Sequence, residues 1–86
     1  MNEKFIIFDY TPTLKDVQEL VEGYAEALEL TNGDLMVFNE EGKLRGFDIN
    51  VQATTHFTFF HPSKSVQDVI VGNAGVIPKD LRGEGW

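Results

Sequence analysis

The spacing of apolar residues changes several times along the chain, and each change predicts an element. Lys4-Phe5-Ile6-Ile7-Phe8-Asp9-Tyr10 is rich in β-branched and aromatic residues and stops at Thr11-Pro12, which predicts a strand. Its unbroken apolar middle predicts a central strand buried on both faces. The spacing then becomes helical: Leu14, Val17, Leu20 and Val21 share one face, while Lys15, Gln18, Glu19 and Glu22 face water. Thr13 is suited to cap this helix, and Asp16 to complete a weak capping box. Gly23 is a natural C-terminal residue, so the helix is expected over residues 14–22.

Asn32-Gly33 is the signature of a two-residue type I′ turn, which needs a strand on each side. Strands are therefore expected over residues 24–30 and 35–39. The alternative is one continuous helix, with Leu14, Val17, Val21, Tyr24 and Leu28 on a heptad-like stripe. Glu40-Glu41-Gly42-Lys43 predicts the next turn, followed by a short strand over residues 44–47. Asn50 is placed to cap a short helix over residues 51–57, although Thr54-Thr55 are poor helix formers. Residues 66–77 read as a last strand with Val69-Ile70-Val71 at its middle, broken by Gly72 and Gly75 and ended by Pro78. Residues 79–86 read as a flexible, glycine-rich tail.

These elements predict one α+β domain over residues 1–86, with a mostly antiparallel sheet of about four or five strands and one main helix packed on one face. The expected core contains Phe5, Ile7, Val17, Leu20, Val21, Leu28, Val37, Ile70 and Val76. A chain of 86 residues has room for a single core and gains stability by associating. The aromatic cluster Phe57, Phe59 and Phe60, together with Trp86, is the expected contact surface of a homodimer or higher homo-oligomer.

Composition narrows the chemistry. The chain has no cysteine, which excludes disulfides, thiolate metal sites and a cysteine nucleophile. Met1-Asn2-Glu3-Lys4 does not open a signal peptide, and no apolar run nears the ~20 residues of a membrane span, so a cytoplasmic location is expected. Fourteen acidic against seven basic residues leave a formal charge of −7, which disfavours direct binding of nucleic acid. Such an excess either keeps the chain soluble or imitates the charge of DNA toward a DNA-binding enzyme.

A catalytic set is hard to assemble. His56 and His61 do not stack on one helical face and have no zinc spacing, so no metal or other cofactor is expected. Ser63 and Ser65 sit in no nucleophile elbow, and Glu40 and Glu41 are neighbours in a turn. Gly72-x-x-Gly75 lacks the lysine of a phosphate loop. The inventory for binding a nucleotide-like ligand is better. Tyr24 and Phe47 could stack a base, Asn39, Asn50 and Asn73 could read polar edges, and Lys43 and Arg45 could neutralise phosphate. Each also has a plain structural role open to it: core for the aromatics, caps and turns for the others.

Several segments resemble an uncharacterised domain family of bacteriophages and integrative mobile elements. They are Leu20-Val21-Glu22-Gly23-Tyr24, Asn39-Glu40-Glu41-Gly42-Lys43-Leu44, Asn50 and Asp68-Val69-Ile70-Val71-Gly72-Asn73, in matching order over residues 14–77. The resemblance implies a strand after Gly23-Tyr24. It brings no activity with it, and residues 57–62 and the tail depart from its pattern. With no catalytic set in the sequence, the phage context implies a non-enzymatic protein acting against host defence. The leading expectation is an oligomeric sponge for a small anionic, nucleotide-derived immune signal, such as a cyclic ADP-ribose relative. The alternative is an acidic mimic of DNA, or another protein-interaction inhibitor, that blocks a restriction or defence enzyme.

Overall fold

A computed structural model describes residues 3–60, 69–83, 85 and 86. The chain runs β1 (Phe5–Ile7), α1 (Leu14–Val21), β2 (Ala25–Glu29), β3 (Leu35–Asn39), α2 (Val51–Phe59), β4 (Ala74–Ile77) and a 3-10 turn (Lys79–Leu81). The four strands form one sheet in the order β1-β4-β3-β2. β2 and β3 form an antiparallel hairpin and β3 pairs antiparallel with β4, but β1 pairs parallel with β4. The sheet is therefore mixed rather than mostly antiparallel. Local patterning predicts strands but not which strand the closing β4 lies beside, and β4 enters between the first strand and the hairpin.

The burial pattern explains the order. Leu35 and Val37 of β3 join Val17 and Val21 of α1, with Ile77, in one core cluster. Met36 of β3 joins Ala53 and Phe57 of α2, with Ala74 and Val76, in another. Successive strand residues point to opposite faces, so the two helices cover opposite sides of the sheet. Among the described residues the fold is α+β with two helices, one on each face of the sheet. The unbroken apolar runs of β3 and β4 follow from this double cover, since both faces of these inner strands are dry.

β1 is an edge strand, not the central one its apolar middle predicts. Ile7 is 57% exposed and lies outside the core, whereas Phe5 is partly buried and packs against the Met36 cluster. Val17, Val21, Val37, Ile70 and Val76 are core as expected, with Leu20 and Leu28 packed at its margin.

α1 begins with the expected capping box: Asp16 N–H donates to Thr13 Oγ1 at 3.1 Å, and Thr13 N–H to Asp16 Oδ2 at 3.0 Å. It ends one residue earlier than the glycine suggests. Glu22 takes the left-handed conformation, at φ 64°, and both its N–H and that of Gly23 donate to the Gln18 carbonyl. The continuous-helix alternative is thereby excluded. Gly23 is required for closeness instead: a Cβ there would lie 2.8 Å from Asn39 Nδ2 and 3.2 Å from Arg45 Nη1.

Three local expectations are corrected. The β2–β3 connection is not a type I′ turn, because Asn32 lacks the positive φ such a turn demands. Gly33, at φ 92°, donates to the Leu30 carbonyl while Leu30 donates to Asp34, which makes a longer loop with a bulge. Asp34 then accepts from its own loop and from the Lys79 N–H, and that second bond ties the hairpin to the 3-10 turn. Residues 44–47 form no strand; residues 40–46 are successive turns, closed by bonds from Arg45 to Glu41, Gly46 to Lys43 and Phe47 to Gly42. The last strand is Ala74–Ile77 rather than 66–77, because Gly72 (φ 75°) turns the chain after an isolated bridge between Val71 and Ile49. Residues 66–68 of that expectation, like His61, Ser63 and Ser65, lie outside the described residues.

The glycine-rich end is packed rather than loose where it is described. Trp86 Nε1 donates to the Pro12 carbonyl at 2.8 Å, and Arg82 bonds the Trp86 and Gly33 carbonyls and Glu29. Trp86, part of the surface expected to mediate association, is thereby partly covered. Phe57 is core, Phe60 is partly buried against it, and Phe59 alone of that aromatic group stands largely free. Among the described residues no helix is long and apolar enough to cross a membrane.

Candidate functional site

The C-terminal end of α1, the start of β2 and the turns after β3 meet at one corner. The last carbonyls of a helix carry partial negative charge and need donors. α1 has no basic residue in its last turn, and the donors come from elsewhere in the chain. Asn39 Nδ2 donates to the Val21 carbonyl at 2.9 Å, Asn73 Nδ2 to the Leu20 carbonyl at 3.0 Å, and Arg45 Nη1 to the Glu22 carbonyl at 3.1 Å. Arg45 is held in turn by the Phe47 ring, with its guanidinium carbon 4.8 Å from the ring centre.

The asparagines expected to read a ligand are consumed by the fold. Asn39 is 4% exposed and its Oδ1 accepts from Glu41 N–H at 2.7 Å, so both ends of its amide are occupied. Asn50 is 2% exposed; its Oδ1 caps α2 by accepting from Ala53 N–H, and its Nδ2 donates to the Lys4 and Gly72 carbonyls. Asn73 Oδ1 accepts from Lys4 N–H at 2.9 Å. These three side chains are internal ties between α1, α2, β1 and the turns. Phe47 is partly buried, packs over Gly42 and Gly72 and carries Arg45.

Tyr24 and Arg45 remain, and they line the same cleft. Tyr24 is 70% exposed, so much of its ring is accessible. The cleft has a volume of about 460 Å³, within the range of small-molecule sites. α1 contributes Lys15, Gln18 and Glu19 to its wall, and Glu41 completes it from the turn. Lys43 is exposed but does not line this cleft; Lys15, which the sequence pattern places only on a solvated helix face, does. That substitution was invisible in sequence because Lys15 and Arg45 come together only through the packing of α1 on the hairpin.

On the far side of Phe47 lies a second cleft of about 300 Å³, lined by Glu3, Glu22 and Asp48 beside Gly46, Gly72 and Asn73. Its three carboxylates disfavour an anion, whereas the Tyr24 cleft balances two cations against two carboxylates. The Tyr24 side is therefore the less acidic of the two. Among the described residues no group of three histidine, aspartate or glutamate side chains is arranged to hold a metal ion.

Residues 2–85 match the family described as Domain of unknown function (DUF3846), and the chain belongs to that family. No curated protein and no solved structure matches it.

Proposed function

We propose that this member of the DUF3846 family binds a small anionic, nucleotide-derived ligand in the Tyr24–Arg45 cleft and holds it without transforming it. The observation that carries the reading is the pairing of a largely exposed tyrosine with a guanidinium fixed in place at the mouth of one cleft. Tyr24 offers a face for a base. Arg45, already oriented by Phe47 and the Glu22 carbonyl, keeps further N–H donors for phosphate. Lys15 adds a second cation, and Glu19, Glu41 and Gln18 supply acceptors for ribose hydroxyls and base amino groups. In a phage or mobile-element setting, such a protein would deplete a nucleotide signal of the host's defence by sequestration in the cytoplasm.

The test is to purify the protein from cells that make nucleotide signals, denature it and identify the released small molecules by mass spectrometry. The wild type is expected to release a phosphate-bearing nucleotide that Tyr24→Ala and Arg45→Ala lose. Losing one charge-assisted hydrogen bond at an exposed arginine costs about 1.5–3 kcal/mol, roughly 10- to 150-fold in affinity. A wild type that releases nothing, or releases the same ligand in both variants, would remove this cleft from the function.

A further inference from the structure

The two edges of the sheet are built differently. β2 carries Glu26 and Glu29 at exposed positions, charges that discourage another strand from pairing there. β1 carries Phe5, Ile6 and Ile7, with no charge and no proline, and Ile7 is among its most exposed residues. The register with β4 determines which backbone groups β1 leaves over. Ala74 N–H donates to the Lys4 carbonyl and Phe8 N–H to the Val76 carbonyl, each at 2.9 Å. Phe5, Ile6 and Ile7 lie opposite Ala74, Gly75 and Val76. In a parallel ladder these bonds place the backbone groups of Lys4, Ile6 and Phe8 toward β4. The N–H and C=O of Phe5 and Ile7 therefore point away from the sheet, and among the described residues nothing bonds them.

We infer that β1 is the contact by which two copies of this chain join, as antiparallel strands across a two-fold axis through Ile6. The outward groups at Phe5 and Ile7 are two residues apart, so they are complementary to themselves under that symmetry. Phe5 of one copy exchanges both its bonds with Ile7 of the other, and the reverse pair repeats this. Any other alignment that faces outward groups with each other pairs Phe5 with Phe5 or Ile7 with Ile7, and satisfies one of the two positions instead of both. The apolar, uncharged character of the three residues favours a like strand over a charged partner. The union makes one eight-stranded sheet from two four-stranded ones and covers Ile7. This contact is independent of the ligand cleft, which lies at the α1 C-terminus.

The chain has no cysteine, so introduced ones report without background. At the axis, Ile6 faces its own copy in a non-hydrogen-bonded pair with Cα atoms about 4.5 Å apart, within disulfide reach. Ile7 faces Phe5 of the second copy, which leaves the two Ile7 positions about 8 Å apart, beyond that reach. Under mild oxidation Ile6→Cys is expected to form a covalent dimer much faster than Ile7→Cys. By sedimentation from about 1 to about 300 µM, the range in which small interfaces associate, the wild type should move from one chain to two. Ile7→Lys should stay at one chain with an unchanged circular-dichroism spectrum; if it unfolds, the cysteine pair decides alone. A wild type of one chain throughout, a folded Ile7→Lys that still dimerises, or Ile7→Cys cross-linking as fast as Ile6→Cys would overturn the inference.

Discussion

Replacing Asn50 by alanine separates its two readings, ligand contact and internal tie. The buried amide caps α2 through Ala53 N–H at 3.0 Å and donates to Lys4 O at 2.8 Å and Gly72 O at 2.9 Å. Loss of the cap costs about 1 kcal/mol. The Gly72 carbonyl is left short of a donor inside the protein, at about 1–2 kcal/mol. The Lys4 carbonyl keeps its bond from Ala74 N–H, so its loss adds less than about 1 kcal/mol. The sum is about 3 kcal/mol, a large share of the roughly 4–13 kcal/mol expected for a domain of this size. It corresponds to a fall in melting temperature of roughly 12–24 °C. Asn50→Ser keeps the cap and should cost about 1 kcal/mol less. Urea unfolding followed by circular dichroism measures both. A loss below about 1 kcal/mol in Asn50→Ala would refute the assignment of Asn50 as a tie between β1, α2 and the Gly72 turn.

Three further outcomes follow from the same geometry. Asn73→Ala, which frees the Lys4 N–H and the Leu20 carbonyl, should lower stability by about 1–3 kcal/mol in the same urea assay. Gly72→Ala puts a methyl 2.6 Å from the Phe47 ring at a φ of 75°, so it should cost at least about 2 kcal/mol and weaken ligand binding through displaced Arg45. Glu22→Gly removes the left-handed strain at the end of α1 and should raise the unfolding free energy measured in urea by up to about 1 kcal/mol; a fall would show that the Glu22 side chain contributes more than its backbone costs.

Local signals are legible in the sequence where one residue's chemistry decides the outcome. Thr13 and Asp16 close their box, Asn50 caps α2, and the Leu35–Asn39 strand stands where its pattern puts it. The local pattern misleads where the deciding partner is distant in sequence. β1 reads as a central strand because apolar runs mark double burial, yet its place at the edge is set by β4, about 70 residues later. The left-handed residue at the end of α1 is Glu22, while position 23 needs glycine because the space beside it is taken by Asn39 and Arg45. The same distance effect governs the cleft. Tyr24 and Arg45 were legible as a pair of binding types, but Lys15 joins them only when α1 docks, and the asparagines look like ligand readers until their backbone partners are known.

Amide chemical-shift mapping on isotope-labelled protein, with ADP-ribose as the probe, tests the proposed ligand site most directly. A base, ribose hydroxyls and two phosphates present together every group that the cleft is proposed to recognise. The account predicts saturable shifts concentrated at Lys15, Gln18, Gly23, Tyr24, Glu41 and Arg45, abolished in Arg45→Ala, with the acidic groove around Glu3 and Asp48 unmoved. Shifts centred on that acidic groove, or shifts at the Tyr24 cleft that persist unchanged in Arg45→Ala, would contradict it.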